Sequence, residues 1–341
     1  MTGWWRTKWQ QIPKAVGWLV GTELSYHFNY PLCPPSSCVF SLTKRCDSRC
    51  LYCGIWNASK PPDPSLDEVS LVLQQLRDLG VKEVVFSGGE PLLRSDIVDI
   101  VSAATQLGLK TNLLTNGGRL DPALIGELTN AGISIITVSL DSLDGDVYQR
   151  LRGIAFDRVK RGLIALDNVD RSKTRIHLTC VVTMLNLGSL TSLARYAQDH
   201  QMGMLFQPYN EVPGYNHPEL IPNPDTIQLL EEVIERVIHL KYQGSPVLSS
   251  EYYLRRIPQF MLNRHSLLRG FHCTAGYIGI NIDSNLDVLP CWSLPAVGNL
   301  RTEDLQTIWA SQCFGESRKQ MKRLECPGCW LICHTERRQP T

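Results

Sequence analysis

Cys46, Cys50 and Cys53 stand in the run Lys44-Arg45-Cys46-Asp47-Ser48-Arg49-Cys50-Leu51-Tyr52-Cys53, a C-x3-C-x2-C spacing. Residues three and four apart lie on one side of a helical turn, so this spacing lets three thiolates converge on one centre. Cysteine thiolates are the usual ligands of iron–sulfur clusters, and a fully ligated cluster takes four. A trio with no fourth cysteine close by leaves one iron open, and an open iron is where chemistry can occur. Zinc is the competing occupant, but structural zinc closes with four ligands, commonly from two C-x2-C pairs. No partner pair lies nearby in sequence. A second group follows far downstream: Cys273, Cys291 and Cys326-Pro327-Gly328-Cys329, with Cys313 and Cys333 alongside.

The elements that must position the first trio can be read from periodicity. Apolar runs over residues 39–43, 83–86, 110–114, 133–139, 175–182 and 204–206 predict six strands. Helical patterns over 65–79, 95–107, 122–131, 158–168 and 190–200 lie between them. Such alternation implies parallel strands joined by right-handed crossovers, here an α/β partial (β/α)6 barrel. The polar residues fall at successive strand ends: the Cys46 loop, then Ser87-Gly88-Gly89-Glu90-Pro91, then Thr115-Asn116-Gly117, then Ser139-Leu140-Asp141. Barrel active sites gather at the C-terminal ends of strands, so one face is marked as the site. In the fifth strand Ile176, Leu178, Cys180 and Val182 share a face opposite His177 and Thr179, which makes Cys180 a core residue.

Length and composition narrow the class. The chain has 341 residues, 43% hydrophobic, with Lys+Arg 34 against Asp+Glu 33 and a net charge of +1. That balance argues against a nucleic-acid partner, which asks for a basic face. The 12 cysteines are not the framework of a small secreted domain, so a reducing cytoplasm is the expected compartment. No stretch has the eighteen or so apolar residues of a membrane span. Trp5, Trp9, Ile12, Val16 and Leu19 recur at helical spacing, and Arg6, Lys8 and Lys14 are the only charged side chains before Glu23. Such a segment fits a membrane interface; the simpler expectation is a helix packing its stripe on the domain.

Together, the cysteine run after the first strand and the Gly-Gly-Glu-Pro turn after the second resemble the radical SAM enzymes, over about residues 38–210. The resemblance implies that Cys46, Cys50 and Cys53 hold a [4Fe-4S] cluster whose open iron binds the amino and carboxylate groups of S-adenosylmethionine. The reduced cluster then yields a 5′-deoxyadenosyl radical that removes hydrogen from a substrate. It also places Tyr52 on the adenine and Gly88, Gly89 and Glu90 by the cosubstrate ammonium. Ser139 is expected on the ribose or carboxylate, and Asn116, with Thr115, along the site. Glycines there would let the backbone approach a ligand closely.

The C-terminal cysteines are similar to the SPASM/twitch extension of these enzymes, with Cys273, Cys291, Cys326 and Cys329 as ligands of a second, auxiliary [4Fe-4S] cluster. A full SPASM unit has seven cysteines, so the number here fits the shorter twitch form. Cys333 and His334 depart from that pattern, and exchange of Cys333 with Cys329 or Cys326 stays open. A zinc ribbon is the competing reading. The expected parts are an amphipathic, proline-rich segment (1–37), the radical SAM core (38–210), a linker and helical substrate-pocket region (211–270) and the small cysteine-rich domain (271–341).

The functional expectation is a radical SAM enzyme acting on a small biosynthetic molecule, amphiphilic like a lipid or tetrapyrrole, with a flavodoxin or ferredoxin as electron donor. A maturase of ribosomally made peptides ranks second, because about 37 residues precede the first strand and leave no separate peptide-recognition domain. A non-catalytic iron–sulfur electron carrier ranks third, since it explains neither the Gly-Gly-Glu-Pro turn nor the barrel pattern. No catalytic side chain and no substrate can be named from the sequence.

Overall fold

The computed structural model describes residues 17–210, 217–269 and 271–331. A helical stretch, residues 17–28 (α1), precedes the first strand, β1 (Ser37–Ser41). The core alternates from there: α2 (Leu66–Leu79), β2 (Glu83–Ser87), α3 (Ile97–Gln106), β3 (Lys110–Thr115), α4 (Pro122–Asn130) and β4 (Ile135–Ser139). It continues through α5 (Gly145–Arg152), α6 (Phe156–Leu166), β5 (Arg175–Val182), α7 (Leu190–Asp199) and β6 (Gly203–Pro208). All six strands run parallel in sequential order, an open (β/α)6 barrel.

Local chemistry sets the boundaries. Ser65 and Glu68 form a capping box at the start of α2, each side chain bonded to the other's backbone N–H, and Gly80 ends the helix at φ 103°. The inward stripe Val69, Val72, Leu73 and Leu76 is fully buried against the sheet. In β5 the buried residues are Ile176, Leu178, Cys180 and Val182, as strand parity predicts.

Three elements differ from expectation. β1 begins two residues early, because Ser37 and Cys38 are in register with both Glu83–Val84 and Gly279–Ile280; Cys38 is thereby a core residue at 0% exposure. α5 was not anticipated: its sequence Gly-Asp-Val-Tyr-Gln-Arg-Leu-Arg is too polar to show a stripe. It is fixed instead by Asp144, which caps the N–H groups of Asp146 and Val147, and by Gly153 at φ 67°. The helical region expected within 211–270 is not continuous past residue 250. It breaks into α9 (Glu251–Leu254), α10 (Ile257–Leu262) and α11 (Arg264–Leu268), following α8 (Ile227–Tyr242), with Asn263 capping α11.

The cysteine-rich end extends the same sheet. β7 (Gly279–Ile282) pairs parallel with β1, then turns at Asp283 into antiparallel β8 (Asp287–Leu289) and β9 (Gly298–Asn299), giving the strand order β6-β5-β4-β3-β2-β1-β7-β8-β9. α12 (Leu305–Ala310) and α13 (Gln312–Lys322) follow. Among the described residues no helix is long and apolar enough to cross a membrane. The expected ligand-exchange pair Cys333 and His334, and Trp5, Trp9, Ile12 and Val16 of the N-terminal stripe, lie outside the described residues.

Trp330 fastens the end of the chain to the barrel. It is 1% exposed and stacks on Tyr253 of α9 at 5.7 Å between ring centroids. Its indole N–H donates to the Tyr253 carbonyl (3.2 Å), and the Tyr253 hydroxyl donates to the Trp330 carbonyl (2.6 Å). Trp330→Ala should cost about 3–5 kcal/mol of stability, as for other buried aromatic truncations, read as a shift in the denaturation midpoint.

Candidate active site

The three cysteines of the first group lie in loop and turn rather than on a helix. The loop that carries them is held by the neighbouring strand ends. The turn after β2 approaches its backbone so closely that no side chain fits. A Cβ on Gly88 would stand 2.3 Å from the Thr43 carbonyl oxygen and one on Gly89 2.1 Å from that of Arg45. The Gly89 and Glu90 N–H groups donate to those same carbonyls at 2.7 and 2.8 Å. The first duty of the two glycines is thus to clamp the loop.

Glu90 is 1% exposed. Its carboxylate accepts from the Thr115 hydroxyl (2.7 Å), the Asn116 N–H (2.7 Å) and the Leu92 N–H (3.0 Å), three of the roughly four positions a carboxylate offers. Asn116 in turn commits both side-chain hydrogens to the cysteine loop, at Asp47 Oδ1 (2.8 Å) and Ser48 Oγ (2.9 Å), while its own oxygen accepts from the Gly118 N–H. The side chain expected along a ligand is therefore a strut of the loop. Ser139, at the end of β4, is half-buried and its carbonyl accepts from the Tyr148 hydroxyl.

Behind the loop lies a buried ion pair that the sequence pattern did not reveal. Arg152, the last residue of α5, donates Nε to Asp141 Oδ2 (2.6 Å) and Nη2 to Oδ1 (3.2 Å). Asp141 also takes the Val181 N–H (2.8 Å) and the hydroxyl of Tyr52. The other guanidinium nitrogen reaches Cys50 Sγ at 4.0 Å, and the Arg152 carbonyl accepts from the Arg49 N–H (3.0 Å). Tyr52, expected on the adenine, is thus tied by its hydroxyl to this pair with its ring half-buried. The signal available in the sequence was Asp141 at a strand end; its partner sits on the helix that was missed.

Burial pushes the Cys46 thiol up to about 11 and raises that of Cys50, which the Arg152 guanidinium opposes. A metal centre must offset that desolvation, and soft iron does so with thiolate donors. In the second group Cys273, Cys291, Cys326 and Cys329 line one small cavity, walled by Leu268, Phe271, Ala275, Met321 and Leu324. All four expected ligands are brought together, with no carboxylate or imidazole in that wall among the described residues. Cys313 is exposed at the start of α13, away from them. Among the described residues no three His, Cys, Asp or Glu side chains converge closely enough for a single metal ion. A four-iron cluster asks for something else, one thiolate on each of several separated irons, and the cavity that Cys273, Cys291, Cys326 and Cys329 share is lined with such thiols.

Two cavities open near this face. One of about 500 Å³ is lined by Gly118, Arg119, Leu120, Asp121, Arg158 and Arg161, and Arg158 pairs with Asp47 of the loop at 2.9 Å. The other, about 290 Å³, lies past the end of β6 between Tyr209, Ile221 and the Phe260–His265 stretch of α10 and α11.

Comparison with known proteins matches this geometry to a class. Residues 40–197 match the family model of the Radical SAM superfamily, and residues 273–330 match that of the SPASM iron–sulfur cluster-binding domain. The chain belongs to the radical SAM superfamily and carries a C-terminal SPASM domain. It is an enzyme that uses [4Fe-4S] clusters and S-adenosylmethionine. It is 27% identical over 289 residues to the PqqA peptide cyclase of Rhizobium meliloti, covering 81% of this chain and 74% of that protein. It is 26% identical over 294 residues to the AdoMet-dependent heme synthase of Methanosarcina barkeri, covering 81% and 82%. The structure of Streptococcus suis SuiB bound to its precursor peptide SuiA shares the fold, with a TM-score of 0.69 at 21% identity over 93% of this chain and 74% of that one.

Two outcomes follow from the buried charges. Asp141→Asn leaves Arg152 uncompensated in the interior, which should cost about 3–5 kcal/mol in thermal unfolding and lower the iron retained after anaerobic reconstitution. Burial, with Asp47 adding, raises the Glu90 carboxyl to about 7 against the pull of its three donors. The folded state therefore favours the neutral form. The stability this contributes is fully present below the unfolded value near 4.5 and is lost as pH rises through about 7. Measured against Glu90→Gln, cluster-free protein should lose at most about 3 kcal/mol across that window.

Proposed function

We propose that this radical SAM enzyme modifies a ribosomally made peptide. The observation that carries the reading is the similarity to PqqA peptide cyclase over four-fifths of the chain. It reverses the order expected from the sequence, where a small amphiphilic molecule ranked first. A tetrapyrrole substrate is the second reading, supported by the Methanosarcina barkeri heme synthase at nearly the same identity.

Cys46, Cys50 and Cys53 would hold the first cluster and Cys273, Cys291, Cys326 and Cys329 the auxiliary one. The bound cluster supplies the electron that cleaves S-adenosylmethionine to a hydrogen-abstracting radical. The chain's own residues bind and orient. An ammonium is a hydrogen-bond donor, so it would be met by the carbonyl oxygens of the Gly88–Gly89 turn, whose N–H side faces the loop, and by the remaining acceptor position of Glu90. The Ser139 hydroxyl would take a polar group of the cosubstrate. The cavity past β6 is mixed in character, with Ile221, Phe260, Met261 and Leu262 facing Tyr209, Asn263, Arg264 and His265, and would take one side chain and a backbone carbonyl of a peptide. A flavodoxin or ferredoxin would deliver the electron.

Anaerobically reconstituted protein given dithionite and S-adenosylmethionine should form 5′-deoxyadenosine, and Cys46→Ala/Cys50→Ala/Cys53→Ala should not; failure of the intact chain would sink the enzymatic assignment. With a short peptide encoded beside the gene, uniformly deuterated, label should pass into 5′-deoxyadenosine. Transfer from a deuterated tetrapyrrole with none from the peptide would overturn the peptide reading.

A further inference from the structure

α1 is docked with its polar side inward. Thr22 and Ser25 are 5% and 2% exposed, whereas Val20, Leu24 and Phe28, at four-residue intervals, are 53%, 43% and 66% exposed. Tyr30 and Leu32, just past the helix, continue the exposed apolar run. A surface helix ordinarily does the reverse. Inward, Trp18 and Leu19 lie beside Ile278, and the remaining contacts are hydrogen bonds and ring stacking. Ser25 Oγ donates to the Gly21 carbonyl and accepts from the Leu32 N–H. Tyr26 stacks on His272 at 3.5 Å. Asn29 bonds the Gly315 carbonyl and the Tyr277 hydroxyl, and Lys322 Nζ donates to the carbonyls of Tyr26 and His27. The helix is thus held firmly while, among the described residues, its apolar face stays uncovered. Single exposed apolar residues need no explanation, but a contiguous run does.

We propose that this face docks on an anionic lipid surface. The occupant is argued from the chain that adjoins the patch. Four of the eight tryptophans, Trp4, Trp5, Trp9 and Trp18, fall in the first 18 residues, with Arg6, Lys8 and Lys14 and no acidic residue before Glu23. Glu23 itself faces His272 at 3.8 Å. Tryptophan and tyrosine prefer the headgroup level of a bilayer, and lysine and arginine are drawn to anionic lipid within a Debye length. A second copy of the chain on this face would instead bring two such cationic segments together, a repulsion that anionic lipid removes.

The test uses the full chain in vesicle flotation, with vesicles of phosphatidylcholine alone and mixed with phosphatidylglycerol. The protein should float with the mixed vesicles and not with the neutral ones, and salt should weaken the binding. Leu24→Ser/Phe28→Ser should weaken it by at least about tenfold, since two apolar side chains leave the lipid, and Arg6→Gln/Lys8→Gln/Lys14→Gln should remove the salt dependence. Iron–sulfur absorbance unchanged from the parent shows that both variants are folded. Absence of binding to either vesicle overturns the proposal, as does binding that the apolar variant leaves intact. A dimer in sedimentation velocity that Leu24→Ser/Phe28→Ser dissolves, without flotation, assigns the face to a second copy and overturns it as well.

Discussion

A loop with no repeating backbone hydrogen bonds of its own carries three thiols that must stay fixed relative to one another. Everything at the mouth of the barrel answers that constraint. The turn after β2 grips the loop through Gly89 and Glu90 N–H groups on the Thr43 and Arg45 carbonyls. β3 grips it through Asn116 on Asp47 and Ser48, and α5 through the Leu151 and Arg152 carbonyls on the N–H groups of Leu51 and Arg49. Glu90 joins two of these grips, because it accepts from Asn116 and Thr115 while its own N–H bonds the loop. The loop is therefore as rigid as the strands it leans on, without belonging to any of them.

Rigidity of this kind is built from buried polar groups, which are expensive unless fully partnered. Asp141 shows how the partnering is arranged. It takes a bidentate guanidinium from α5, a hydroxyl from the cysteine loop and an N–H from β5, so one carboxylate registers three elements at once. Such a pair adds little net stability over a well-packed apolar substitute. What it supplies here is direction, since a guanidinium held by Asp141 can turn its remaining N–H groups toward Cys50.

What the sequence revealed and what it hid divide along physical lines. The cysteine spacing, the Gly-Gly-Glu-Pro turn and the alternation of β5 follow from short-range rules; the structure buries Cys180 in the core and lines one cavity with the four C-terminal cysteines. α5 is hidden because its eight residues bury only Tyr148, Leu151 and Arg152, too few for a stripe, and with it went Arg152. Trp330 gave no sign because its partner, Tyr253, is 77 residues away. The role of Asn116 was displaced for the same reason. A polar strand end looks alike whether it meets a ligand or a loop, and only the fold shows that both of its amide hydrogens already have partners.

The second cysteine group is placed by the sheet rather than by a tether. β1 runs in the middle of the order, with β2 on one side and β7 on the other, so the strand that feeds the Cys46 loop also aligns the hairpin between Cys273 and Cys291. Lys44 at the base of that loop pairs with Asp283 of the hairpin turn at 3.4 Å, and Trp330 pins the Cys326–Cys329 segment to Tyr253 on the far side of the barrel. A flexible linker would let the separation of the two groups wander. A parallel ladder of backbone hydrogen bonds holds it constant.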